Sequence, residues 1–153
     1  MSRPRLIFAS LAALVVLNAS EAHAAPSCTI SSTSVNFGSY NVFTGSATDS
    51  TGSVTINCNG SAHNIIVPLS QGASSTFNPR TMQKGGETLT YNLYRDAART
   101  TIWGDGTGGT STYTNANPPN NGDVNLTVYG RVPAGQDVSA GTYSDTVAAV
   151  INF

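Results

Sequence analysis

The sequence predicts an all-β sandwich held by one disulfide. Three observations carry that expectation: apolar residues recur at every second position in short runs, Gly, Pro, Asn and Ser clusters separate the runs, and two cysteines lie on alternating stretches. Charged residues make up only 10% of the chain, while Gly, Ser, Thr and Asn are abundant. Such a composition suits turn-rich extracellular β-proteins better than helical ones.

Arg3 and Arg5 open a leader whose residues 6–17 are apolar or small, and Ala22-His23-Ala24 places small residues around a cleavage point. This pattern predicts a signal peptide over 1–24 and one domain over 25–153. Beyond the leader no stretch holds eighteen consecutive apolar residues, so no membrane insertion is expected. Five basic and seven acidic residues follow the expected cleavage site. That balance steers the chain toward neither nucleic acid nor acidic lipid.

The elements follow in order. Val35 and Phe37 alternate at the end of a stretch opening at Cys28, and Val54, Ile56 and Cys58 alternate in "GSVTINCN". Both cysteines therefore sit on strands that can face one another. In an oxidising compartment they are expected to pair, since His63 is the one histidine beyond the leader and no C-x-x-C offers a metal site. "NIIVPLS" is an apolar run cut by Pro68, which cannot donate to a ladder. Leu89, Tyr91 and Leu93, then Val124, Leu126 and Val128, mark two half-buried strands, with a short one at "TTIW" between them. The closing stretch 142–153 sets Tyr143, Val147, Ala149, Ile151 and Phe153 on one face, interrupted by Asp145. Turns are expected at "KGGE", "GDGTGG", "NPPNNG" and "VPAGQ".

Catalytic chemistry finds little support. His63 has no G-x-S-x-G partner, Asp105 and Asp123 merely flank one long loop, and "GDGTGG" matches neither a phosphate loop nor an EF-hand. No catalytic residue, metal or cofactor is assigned. Trp103 either packs in the sandwich or stands at the mouth of the 104–122 loop. In the second case Trp103, Asp105 and Tyr113 would form a polar, aromatic ligand site suited to carbohydrate.

Several ordered blocks carry a resemblance: "RTM" at 80–82, "LTYNLYRDAARTTIWGDGTGG" at 89–109, "VYGRVPAGQ" at 128–136 and "AGTYSDTV" at 140–147. Together they resemble the spore coat protein U domain family, which is similar to subunits of archaic, Csu-type chaperone-usher pili. The resemblance implies an immunoglobulin-like sandwich lacking its last strand. It also implies the partners of such subunits, namely a periplasmic pilus chaperone, an outer-membrane usher and neighbouring pilus or coat subunits. Transit through the periplasm to the cell surface is implied with them.

A sandwich of that kind leaves a sheet edge unpaired and an apolar groove unfilled, a binding site for a strand from another polypeptide. Val147, Ala149, Ile151 and Phe153 would form one wall of the groove. Only Ala25, Pro26 and Ser27 separate the expected cleavage site from Cys28, whereas a donor strand takes about ten alternating residues. The expectation is a strand acceptor in a terminal or minor position. The competing expectation is a self-contained secreted carbohydrate-binding or adhesin module with a complete fold.

Overall fold

A computed structural model describes residues 25–153; the signal peptide expected over 1–24 lies outside them. Seven strands follow one another: β1 (Ser27–Thr33), β2 (Thr48–Asn59), β3 (Ile65–Val67), β4 (Arg80–Lys84), β5 (Glu87–Tyr94), β6 (Tyr113–Asn115) and β7 (Gly122–Val132). They form an antiparallel five-stranded sheet in the order β1-β2-β7-β5-β4 and a two-stranded sheet β3-β6. Among the described residues there is no helix.

Alternation decides which face each strand buries. Val54, Ile56 and Cys58 of β2 are buried, as are Leu89, Tyr91 and Leu93 of β5 and Val128 and Val132 of β7. Ile65 and Val67 of β3 pack against them from the second layer, and these residues share one core with Trp103. Strand β3 stops at Val67, just before Pro68. Cys28 stands opposite Cys58 in the β1-β2 register, with Cα atoms 4.1 Å apart, and the two are bonded. Closing that thirty-residue separation contributes about 3 to 4 kcal/mol in the chain-entropy picture.

Two terminal stretches depart from the expected strands. The alternation from Cys28 reaches Phe37, yet the ladder ends at Thr33, because the chain there crosses over two glycines. A Cβ on Gly52 would lie 2.7 Å from the Thr33 carbonyl oxygen, and one on Gly130 would lie 2.6 Å from Val35 Cγ1. Val35 and Phe37 thus settle onto the core instead of continuing the ladder. The closing stretch is likewise no continuous strand. It touches its neighbours through isolated bridges: Gln83 with Ser144, Leu69 with Ala149, and Ile66 with Asn152. The reason is that its partners change along the way, from β4 in one sheet to β3 in the other.

Smaller differences concern the middle of the chain. Strands β4 and β6 had no clear alternation to announce them, and "TTIW" makes only single bridges, Tyr94 with Ile102 and Trp103 with Ser111. "KGGE" is the expected turn: Lys84 pairs with Glu87, and Gly85 takes a φ of 59° that a side chain would resist.

Candidate functional site

Between the two unladdered stretches lies a groove of about 1040 Å³. One wall is 32–42, the other is 138–147 with Ala149, and the floor is the inner face of the large sheet, including Val54, Met82, Leu89, Leu93 and Val128. The 138–149 wall is pinned from behind. Gln83 exchanges two backbone hydrogen bonds with Ser144 (2.8 and 3.1 Å), Ser70 N–H donates to Ala148 (2.9 Å), and Ile66 exchanges two with Asn152 (2.8 and 2.9 Å).

Every backbone group in those bonds belongs to an even-numbered residue of the wall, so the odd-numbered ones point the other way. Among the described residues, no hydrogen bond reaches the backbone N–H or C=O of Val147, Ala149 or Ile151. The same holds for Val35 and Phe37 on the opposite wall. A trough with an apolar floor, flanked by two unpaired backbone edges, has the chemistry to receive an extended chain.

The expected wall residues are placed unequally. Val147 and Ala149 are half-buried and line the groove, and Ile151 packs on the core beyond its end. Phe153, expected to face the core, is 55% exposed. The last backbone pairing is at Asn152, and past it nothing holds the side chain inward.

Residues that sequence reasoning passed over complete the site. Tyr91, 4% exposed, spans the floor: its ring meets Phe37 edge-on at 6.0 Å, and its hydroxyl donates to Asp145 Oδ2 at 2.6 Å. Burial, and then the Asp145 carboxylate, pushes the Tyr91 hydroxyl far above the ordinary phenol range, so it remains a donor. Asp145 Oδ1 accepts from Ala73 N–H (2.8 Å) and Thr146 N–H (2.7 Å). Its position as the one break in the apolar alternation was the signal.

Arg80, wholly buried, donates to Ser70 O (3.1 and 2.8 Å), Trp103 O (2.7 Å) and Asn92 Oδ1 (2.8 Å). Desolvation lowers its pKa, partly offset by the field of Tyr91 and Asp145. At the groove's far end Glu87 accepts from Ser139, Tyr143 and Lys84, which hold its carboxyl down at about 2. Lys84 also donates to Ser139 Oγ and to Ala140 O.

The ligand loop does not assemble. Trp103 is 1% exposed and donates its indole N–H to Val67 O at 2.8 Å, so it is a core residue and no platform for a sugar. Asp105 accepts from Thr107 N–H (2.8 Å) and its hydroxyl (2.7 Å) in an exposed turn. Tyr113 lies half-buried in β6 with the Arg95 guanidinium 5.8 Å from its ring centre. His63 is exposed, and among the described residues no three His, Cys, Asp or Glu gather as a metal site. No described helix is long and apolar enough to cross a membrane.

The chain is 34% identical over 132 residues to Protein U of Myxococcus xanthus, covering 78% of this chain and 71% of that protein. A crystal structure of a chaperone-tip adhesion subunit pre-assembly complex, from the archaic chaperone-usher Csu pili of Acinetobacter baumannii, shares its fold. The TM-score is 0.61 at 25% identity, over 84% of this chain and 40% of that one. A match to the Spore Coat Protein U domain extends over residues 13–150. By that extent, and with the sandwich and disulfide in place, the chain belongs to the spore coat protein U domain family.

Proposed function

We propose that the protein is an exported structural subunit of a cell-surface pilus or coat, whose groove takes a strand from a second polypeptide. A periplasmic chaperone supplies that strand first, and a neighbouring subunit replaces it at an outer-membrane usher. Family membership and the likeness to a chaperone-bound pilus subunit support this reading. The observation that carries it is the unpaired edge of Val147, Ala149 and Ile151 beside a large groove with an apolar floor.

A donor strand of about ten residues rises roughly 3.3 Å per residue, and the walls 32–42 and 138–147 each run for about that many residues. Each new main-chain hydrogen bond contributes about 0.5 to 1.5 kcal/mol, and the inward side chains add roughly 25 cal/mol per Å² of apolar surface they cover. The alternative, a self-contained carbohydrate-binding or adhesin module, loses its aromatic anchor because Trp103 is buried.

The test is to express the chain in a periplasm alone and together with a pilus chaperone. The expected result is chaperone-dependent soluble yield and a 1:1 complex on size exclusion. A stable monomer obtained without any chaperone would overturn the reading. The same material reads processing and position in the fibre: the N-terminus is expected at Ala25, and a terminal or minor subunit is expected to form no long fibres by itself.

A further inference from the structure

The inward rows of β2 and β7 carry Val54, Ile56 and Cys58, then Val128 and Val132, and each row is broken by one glycine, Gly52 or Gly130. Glycine inside a strand is less stable than alanine there, so both positions call for a reason. The reason lies above them. A Cβ on Gly130 would come 2.6 Å from Val35 Cγ1 and 2.7 Å from Phe37 Cζ, and one on Gly52 would come 2.7 Å from Thr33 O and 3.1 Å from the Ser34 carbonyl carbon. Carbon atoms rest about 3.5 to 4 Å apart. The two glycines are therefore the seat on which the 34–40 wall of the groove lies.

Little else holds that wall. Among the described residues no hydrogen bond between main-chain atoms reaches 34–40. Its fastenings run through side chains: Ser50 Oγ–H donates to Asn36 O at 2.5 Å, and the Tyr40 hydroxyl donates to Pro133 O at 3.0 Å and accepts from Gln136 N–H at 2.9 Å. The height of the wall is therefore set by how far Val35 and Phe37 sink onto Gly130. A strand that pairs with both walls lies about 4.7 to 4.9 Å from each, through hydrogen bonds with a tolerance of about half an ångström. A methyl group on Gly130 would lift the wall by about 1 Å, outside that tolerance. We propose that Gly130, with Gly52, is the positioning residue of the groove: its missing side chain sets the height of the 34–40 wall and so decides whether an entering strand pairs with both edges. This rests on the strand-accepting reading of the groove.

The test takes the exported chain, unfolds it with the disulfide intact and refolds it by dilution with a labelled ten-residue peptide carrying Leu at alternate positions. Fluorescence polarisation reads Kd, and far-UV circular dichroism reads the sheet. Gly130→Ala is expected to weaken binding about tenfold or more with the sheet retained, because one of two hydrogen-bonded edges is lost. Gly45→Ala, where a Cβ meets nothing within 4 Å, is expected to change nothing. In a chain trimmed by Val35→Ala and Phe37→Leu the side-chain atoms nearest the added methyl are gone, so there Gly130→Ala is expected to cost under about twofold. Gly52→Ala meets main-chain atoms, and the same trimming is not expected to rescue it. Should Gly130→Ala not fold, Val35→Ile, which adds a methyl group above the same seat, is expected to weaken binding about fivefold. Binding by Gly130→Ala or Val35→Ile equal to that of the natural chain, or an undiminished loss in the trimmed one, overturns the seat and leaves strand acceptance standing. Failure of the natural chain to bind the peptide overturns both.

Discussion

Arg80 shows how one side chain can organise a neighbourhood with no carboxylate in contact. Its guanidinium satisfies three oxygens from three separate stretches, at Ser70, Trp103 and Asn92, while Asn92 donates onward to Phe77 O at 2.9 Å. Arg80→Ala leaves those buried acceptors unfilled and is expected to lower unfolding free energy by about 3 kcal/mol in urea titration. Arg131→Ala, which breaks an exposed pair with Asp49 at 2.7 Å, is expected to cost under about 1 kcal/mol in the same titration. Arg80→Lys is not expected to rescue the site, since a single ammonium cannot reach the three acceptors that the guanidinium spans. At this scale the sequence was partly legible: "RTM" stood out by its resemblance, but nothing in the string says that a charged residue is wholly buried.

At the scale of elements, the groove wall makes a sharp comparison possible. Ala149 N–H has no partner, whereas Val150 N–H donates to Pro68 O at 3.4 Å. Ala149→Pro removes only an amide that an incoming strand would use, so it is expected to leave the free fold largely intact and abolish chaperone capture in a pull-down. Val150→Pro removes an existing bond and is expected to weaken the fold itself. The Glu87 cluster ties the 139–143 stretch to the β4-β5 hairpin. Glu87 has a folded pKa of about 2 against an ordinary 4.5. Its contribution is therefore complete above about pH 4.5 and lost as pH falls through about 2. The protection factor of the Ser144 amide, which donates to Gln83 O at 3.1 Å beside this cluster, is expected to fall across that window after correction for the intrinsic pH dependence of exchange, and Glu87→Gln to remove this part of the acid dependence.

For the whole molecule, the sandwich is stapled at one end by Cys28–Cys58 and open along one side. Under the proposed function, a donor strand would act as a ligand for the native state alone. At a hundredfold excess over Kd it is expected to stabilise by about 2.7 kcal/mol, raising Tm by roughly 10 °C in scanning calorimetry. A scrambled peptide is expected to raise it far less. Replacing both cysteines by serine is expected to cost about 3 kcal/mol without changing which peptides bind, because the staple ties β1 at Cys28, while the wall that meets the groove begins at Ser32.

What the sequence by itself determined were features set by neighbours along the chain, together with the pairing of its two cysteines. Alternation marked β2, β5 and β7, Pro68 ended β3, "KGGE" made its turn, and two cysteines on facing strands made a disulfide. Tertiary structure decided what depends on distant partners. Gly52 and Gly130 lift the 34–40 stretch off the ladder, Trp103 goes inward because Val67 O awaits its indole N–H, and Asp145 becomes part of the groove because Tyr91 lies across from it. Phe153 shared the apolar period of Val147, Ala149 and Ile151 but not their fate. A period sets which way a side chain points; whether it is buried depends on the surface facing it, and that surface comes from elsewhere in the chain or from a second polypeptide.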